Sequence, residues 1–119
     1  MKIHSRELLA RLSDEEVLVL DCRSPEDWDL VDMHIPGALR MTPSEIAEWP
    51  HVLPDDELIV LVGWESDGVE ARCACRMLRV RGRDAVFLDG GLRGWITAGY
   101  PTERHMRSSE QRPSGVAAP

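Results

Sequence analysis

Thiols are the strongest candidate nucleophiles in this sequence, which contains three cysteines, Cys22, Cys73 and Cys75. The reactive form of a cysteine is its thiolate. An odd number of cysteines in a chain of 119 residues does not indicate a disulfide framework. No Cys-x-x-Cys or His-x-x-x-His spacing indicates a zinc site, and Cys73 and Cys75 lie two positions apart on a predicted helix, where side chains point to different faces. We therefore predict no metal site and no cofactor.

Two carboxylates lie in one short segment, Gly63-Trp-Glu-Ser-Asp-Gly68, which contains Glu65 and Asp67 and is followed by Glu70. A pair of carboxylates can perform general acid–base catalysis, as in a hydrolase. Neighbouring carboxylates in a loop are more often plain surface charge. Trp64 lies at the mouth of this segment, where it could pack in the core, cover a pocket or anchor a partner protein.

Short apolar runs bounded by charges or turn residues predict the strands. The strongest is Leu58-Ile-Val-Leu-Val62, and the other three are residues 17–20, 39–41 and 85–88. Caps and apolar periodicity predict helices at residues 5–12, from Pro25 after the N-cap Ser24, over 42–49, over 69–80 and around 94–98.

The predicted helix over residues 69–80 carries an apolar stripe of Val69, Cys73 and Met77, with Ala74 and Leu78 beside it. We expect this stripe to be buried against a sheet, because an amphipathic helix turns its apolar face to the core. Strands that alternate with helices predict an α/β domain with a mainly parallel sheet and helices on both faces. In such folds ligands bind beyond the carboxyl ends of strands, which directs attention to the loop at residues 63–68.

Composition limits the possible partners. The net charge of −7 disfavours binding to nucleic acid or to an anionic membrane, and no apolar run approaches the roughly 20 residues of a membrane helix. No signal peptide is evident, so the expected location is cytoplasmic. Residues 1–105 are predicted to form one domain, followed by a disordered tail over 106–119. Five arginines form a cluster that could bind an anionic partner, although such a cluster is more often the solvated face and C-terminal end of a helix; they are Arg72, Arg76, Arg79, Arg81 and Arg83.

Three sequence segments together resemble the single-domain rhodanese, or thiosulfate sulfurtransferase-like, family. They are Val17-Leu-Val-Leu-Asp-Cys-Arg-Ser-Pro-Glu-Asp-Trp28, His34-Ile-Pro-Gly-Ala38 and Leu88-Asp-Gly-Gly-Leu-Arg-Gly-Trp-Ile-Thr-Ala-Gly-Tyr-Pro101. The resemblance covers roughly residues 3 to 103. It implies a three-layer α/β/α domain with a mainly parallel five-stranded sheet. It also implies an ion pair between Asp21 and Arg23.

The family places a cysteine first in the loop after the central strand, in a pattern like Cys-x-x-Gly-x-x-Ser/Ala. Its thiolate takes a sulfane sulfur from thiosulfate and passes it to cyanide or another thiol. An ungapped comparison places Gly68 on the family's glycine, Ala71 on its small residue and Glu65 on its cysteine. The equivalent loop is therefore Glu65, Ser66, Asp67, Gly68, Val69, Glu70 and Ala71, with Trp64 and Arg72 as possible pocket rim.

A carboxylate cannot carry a persulfide, and the acidic loop would repel thiosulfate. The resemblance therefore implies an inactive rhodanese-like module that binds an unidentified protein partner or small ligand. The Glu65 carboxylate is expected to occupy the loop's anion cradle itself. The alternative is sulfur transfer by another cysteine, although Cys22, Cys73 and Cys75 are each expected to be packed in the structure. Packing roles are also expected for Trp28, Trp49 and Trp95.

Overall fold

Helices and strands alternate along most of the chain, as the apolar pattern predicts. The computed structural model describes residues 2–14, 16–65 and 68–105. In chain order the elements are β1 (Lys2–Ile3), α1 (Ser5–Asp14), β2 (Val17–Asp21), α2 (Pro25–Leu30), β3 (Met33–His34), β4 (Leu39–Arg40), α3 (Pro43–Glu48), a 3-10 turn (Pro50–Val52), β5 (Leu58–Val62), α4 (Val69–Val80), β6 (Ala85–Leu88), α5 (Gly91–Thr97) and β7 (Glu103–Arg104). None of the described helices is long and apolar enough to span a membrane. The tail predicted over 106–119 lies outside the described residues.

Five strands form one sheet in the order β1-β6-β5-β2-β4, and every neighbouring pair is parallel. This confirms the predicted five-stranded sheet. The apolar run at Leu58–Val62 is the central strand, and four of its five residues are buried. The edge strand β1 was not predicted, because two residues are too few to show any periodicity.

Two apolar clusters lie on opposite faces of the sheet and confirm the three layers. One contains Ile46 of α3 and Leu78 of α4, which pack on sheet residues such as Leu61. The other contains Leu8 of α1 and Trp95 of α5. Helices therefore cover both faces, as burial of a parallel sheet requires.

The N-termini of α2 and α3 form where the capping pattern predicts them. Ser24 accepts a hydrogen bond from the backbone N–H of Asp27 at 3.1 Å, with Pro25 in the first turn. Thr42 and Glu45 form a reciprocal capping box. These local bonds fix where each helix begins because they satisfy backbone donors that the helix cannot.

The buried face of α4 differs from the predicted one. Ala71, Ala74, Cys75 and Leu78 face the sheet, whereas Val69 is 68% exposed and Cys73 is also exposed. The prediction of a buried Val69–Cys73 stripe is therefore wrong. The buried residues form a neighbouring stripe with i, i+3, i+4 and i+7 spacing, and the small side chains of its first three positions let the helix approach the sheet closely.

Tryptophan packing is confirmed in part. Trp95 is fully buried, Trp28 and Trp64 are half-buried, and Trp49 is 50% exposed. The prediction for Trp49 is wrong. This residue terminates α3 and contacts the ring of His51 in the following turn, so its ring lies on the surface rather than under the helix.

Strands β3 and β7 form a separate two-stranded antiparallel ribbon, in which Met33 pairs with Arg104 and His34 pairs with Glu103. His105 follows β7 and stacks on Trp28, with ring centroids 3.6 Å apart. Its Nε2 lies 3.2 Å from the carbonyl oxygen of Trp28, and its Nδ1 lies 2.9 Å from Nδ1 of His34. A carbonyl only accepts, so Nε2 carries the proton and Nδ1 of neutral His105 accepts from His34.

The stacking of His105 on Trp28 leads us to predict that the free energy of unfolding falls in acid. Burial lowers the pKa of His105, the bond to Trp28 opposes this, and Arg23 and His34 lower the pKa further while Asp21 raises it. A lowered folded-state pKa means that the stabilisation is complete above about pH 6.5 and is lost as the pH falls below it.

The urea midpoint of the native chain is therefore expected to fall between about pH 7.5 and about pH 5.5 more steeply than that of His105→Gln. The glutamine variant keeps a polar side chain but does not titrate. An equal fall in both proteins would contradict the assignment of this pH dependence to His105.

Candidate functional site

The loop singled out from the sequence begins at the carboxyl end of β5, the central strand, and leads directly into α4. Gly63, Trp64, Glu65 and Gly68 are described, whereas residues 66–67 lie outside the described residues. The neighbouring strand β2 ends beside it, because Asp21 is in register with Val62. The predicted position at the carboxyl edge of the sheet is the place where α/β folds bind ligands.

The amino end of α4 faces this loop. Gly68 is the N-cap residue, and no described side chain caps the first turn. The Gly68 N–H donates to the carbonyl of Glu65 at 3.0 Å. Free N–H groups at a helix N-terminus attract negative charge, so this end of α4 favours an anionic or hydrogen-bond-accepting group.

A cavity of about 130 Å³ opens at this turn. It is lined by Arg23, Asp27, Gly63, Trp64, Glu65, Gly68 and Glu70. Asp27, Glu65 and Glu70 contribute three carboxyl groups, and the one cation among these lining residues is already paired with Asp21. The volume suits a group of only a few atoms, and the wall charges disfavour a multiply charged anion.

Glu65 is the residue that the sequence comparison aligned with the family's cysteine, and its carboxylate lies at the surface. Its side chain is 49% exposed, and Oε1 lies 2.8 Å from Nη1 of Arg93. The expectation that this carboxylate turns inward to fill the cradle is therefore wrong. Because Arg93 is itself 66% exposed, the ion pair is worth at most about 1 kcal/mol. Arg93 was missed by sequence reasoning, since no local pattern links positions 28 residues apart.

Helix α5 holds the loop from the other side. The N–H groups of Leu92 and Arg93 donate to the carbonyls of Gly63 and Trp64, both at 2.9 Å. Gly91 has a φ of +61°, and a Cβ at that position would lie 2.5 Å from the carbonyl oxygen of Trp64. The Asp-Gly-Gly turn thus supplies a backbone conformation that glycine readily adopts, and the lack of a side chain lets the loop pack closely against it.

Asp21 and Arg23 form the predicted ion pair beneath the cavity. Their side chains are 1% and 0% exposed, with Nη2 of Arg23 2.9 Å from Oδ2 of Asp21. Arg23 also donates to the carbonyls of Val31 and Met33 at 3.2 and 3.0 Å. The Arg23 guanidinium therefore joins the end of β2 to the segment after α2. Its donors are used in these internal bonds rather than in binding a ligand.

Trp64 combines two of the three roles considered for it. It is half-buried and packs on the apolar cluster that contains Leu92 and Trp95. It also lines the small cavity. Arg72, the other predicted rim residue, instead lies exposed with its guanidinium 6.0 Å from the ring of Phe87, and it does not line the cavity.

The buried thiols are poor nucleophiles. Cys22 is fully buried, and its Sγ lies 3.5 Å from the carbonyl oxygen of Val62. Burial, followed by the charge of Asp21, raises the pKa of Cys22 to about 12. Burial also raises the pKa of Cys75, whose thiol donates to Ala85. Neither thiol therefore ionises appreciably at neutral pH.

Cys73 was predicted to be packed and is instead exposed. It lies in the second turn of α4, on the outer face of the helix, and it does not line the cavity at the loop. Within residues 2–14, 16–65 and 68–105, no three His, Cys, Asp or Glu side chains lie close enough together to hold a metal ion.

Comparison with known proteins matches this geometry to one family. The pattern of the rhodanese-like domain matches residues 4–98. A rhodanese-like domain protein from Staphylococcus aureus is 23% identical with a TM-score of 0.72, over 88% of this chain and 98% of that one. A thiosulfate sulfurtransferase from Pseudomonas aeruginosa is 30% identical with a TM-score of 0.73, over 87% of this chain and 19% of that one.

One curated relative is longer than this chain. An HTH-type transcriptional regulator of Mycobacterium tuberculosis is 35% identical over 97 residues, which are 82% of this chain and 42% of the regulator. The chain therefore spans less than half the length of this relative.

Proposed function

Because this chain belongs to the family of rhodanese-like domains, we propose that it is a member that does not transfer sulfur and acts instead as a binding or regulatory module. The observation that carries the proposal is Glu65, which stands where the resemblance places the sulfur-carrying cysteine. Sulfur transfer needs a thiolate that forms an S–S bond with the donor, and a carboxylate forms no persulfide. Residues 63–72 contain no cysteine that could replace it.

The charge of the site supports the same conclusion. Asp27, Glu65 and Glu70 line the cavity, and the Arg23 guanidinium is already neutralised by Asp21. Thiosulfate would bring two more negative charges to this small cavity. Its repulsion from the wall opposes the attraction of the α4 N-terminus.

A regulatory role is supported by the longer relative. A protein named as a transcriptional regulator shares 35% identity with this chain over 97 residues, which are 82% of this chain but only 42% of the regulator. A domain that lacks the nucleophile can still bind a small ligand or a partner protein, and it leaves that ligand chemically unchanged. The ligand class we favour at the loop is a small neutral or weakly charged group, because the cavity is about 130 Å³ and carboxylate-lined.

A thiosulfate:cyanide sulfurtransferase assay tests the proposal, with native protein beside Glu65→Cys and the matched control Glu65→Ser. We expect native protein and the serine variant to be inert. In Glu65→Cys the new thiolate should attack the outer sulfur of thiosulfate, forming a persulfide as sulfite leaves. Cyanide then takes the terminal sulfur, releasing thiocyanate and the thiolate. Turnover by native protein would overturn the proposal.

Mass spectrometry of the same samples tests the alternative of sulfur transfer by another cysteine. Cys73 is the exposed one of the three thiols, so a persulfide on native protein is expected there if anywhere. Loss of that sulfur in Cys73→Ser, together with native turnover, would establish the alternative. No gain of sulfur on native protein would reject it.

A further inference from the structure

The outer face of α4 borders a groove that lies away from the loop. Its volume is about 630 Å³, and it runs along the helix beside the half-buried ring of Phe87 in β6. It lies on the α3–α4 face of the sheet, since Phe87 packs against the cluster that contains Leu78. None of the residues that line the cavity at the loop lines this groove.

Exposed apolar side chains mark both ends of this groove. Val69 is 68% exposed and Val80 is 79% exposed. They lie eleven positions apart on one helix face, a separation of about 16 Å along the axis. A compact small molecule does not reach both, whereas about three turns of a partner helix or a short extended segment would.

Arginines line the groove between these ends. Arg72, Arg76 and Arg79 follow the i, i+4, i+7 spacing of a single helix face. Arg79 is held by a 2.9 Å bond to the carbonyl of Ala85, whereas Arg72 and Arg76 form no ion pair with any described residue. Arg72 and Arg76 therefore offer two cations without a described carboxylate partner, in a chain of net charge −7.

We propose that this groove, the α4 groove, docks an acidic amphipathic segment of a partner protein. Carboxylates of the segment pair with Arg72 and Arg76, and its apolar side chains pack on Phe87 and on Val69 and Val80. Electrostatic complementarity of this kind selects the partner and its register, while the apolar contacts supply much of the affinity. The proposal does not depend on whether the loop transfers sulfur.

The chain's own C-terminal residues do not suit this groove. Residues 106–119 contain two arginines and one acidic residue, Glu110, so they carry the same sign of charge as Arg72 and Arg76. A nucleic acid does not suit it either, because the floor is apolar and the remaining surface is acidic.

Fluorescence anisotropy with a labelled synthetic peptide tests the docking. The probe is an amphipathic helix of about 15 residues, with leucine on one face and glutamate beside it; a matched peptide carries lysine in place of each glutamate. We expect the glutamate peptide to bind the native chain and the lysine peptide not to bind. Raising the ionic strength should weaken the binding, since the ion pairs lie at the surface.

Charge reversal locates the binding. Arg72→Glu with Arg76→Glu should lower the affinity at least about tenfold, whereas Arg6→Glu with Arg11→Glu makes the same charge change on α1, at the opposite face, and should not. Val69→Ser with Val80→Ser tests the apolar contacts. Far-UV circular dichroism checks that each variant is folded.

Three outcomes would overturn the proposal: no binding of the glutamate peptide, equal binding of both peptides, or equal loss in the α1 control. Saturable binding of octanoate without the peptide would assign the groove to a small amphiphile instead. Each result is distinguishable from that of the sulfurtransferase assay, since none of these variants changes a residue that lines the cavity at the loop.

Discussion

Replacing Arg23 with methionine is expected to lower the free energy of unfolding by about 3 to 5 kcal/mol. The guanidinium is fully buried against Asp21 and donates to the carbonyls of Val31 and Met33. Methionine preserves much of the volume but leaves a buried carboxylate without its ion-pair partner and carbonyls without donors. Urea unfolding followed by circular dichroism measures the loss.

Two further variants control this experiment. Arg104→Met removes an arginine that is 81% exposed and 3.5 Å from Asp32, and it should cost no more than about 0.5 kcal/mol. Adding Asp21→Asn to Arg23→Met should recover part of the loss, because the stranded charge is then gone. If Arg23→Met lowered the free energy of unfolding as little as Arg104→Met, the Asp21–Arg23 pair would not be what joins β2 to the segment after α2.

Replacing Gly91 with alanine is expected to cost about 3 kcal/mol and to displace the loop at Trp64. The new Cβ would lie 2.5 Å from the carbonyl oxygen of Trp64 and 2.8 Å from the carbonyl carbon of Glu65. Both neighbours are backbone atoms that cannot rotate away. A φ of +61° adds strain for any residue with a side chain.

Gly99→Ala separates these two effects. Gly99 has a φ of +81°, and a Cβ there would meet nothing within 4 Å, so only the strain of about 1 kcal/mol applies. Hydrogen exchange at the amides of Leu92 and Arg93, which donate to the loop, should accelerate in Gly91→Ala alone. Equal costs for the two alanines would mean that the loop does not rest on α5.

Both variants address how the candidate site is positioned. Gly63 and Trp64 follow β5 directly and accept hydrogen bonds from α5, and the Asp21–Arg23 pair fixes the neighbouring end of β2. These supports do not depend on which side chain stands at position 65. A preserved scaffold of this kind is what a binding module needs, since recognition depends on a fixed surface rather than on a reactive atom.

Local sequence was sufficient for most elements and for the central functional argument. The apolar run at Leu58–Val62 predicted the central strand, and the Ser24 and Thr42 caps predicted where two helices begin, because each signal depends on neighbours within a few residues. The absence of a cysteine from residues 63–72 is likewise a property of the sequence alone. The proposal that the domain is inactive rests on it.

Only the tertiary structure decided which face of α4 is buried and where the side chains around the loop point. Two adjacent stripes on that helix have similar apolar character, and contact with the sheet selected Ala71 and Ala74 over Val69 and Cys73. The pairing of Glu65 with Arg93, 28 positions away, has no local signal. The same holds for the contact of His34 with His105. Such contacts depend on how the elements pack together, so they become visible only when the chain is folded.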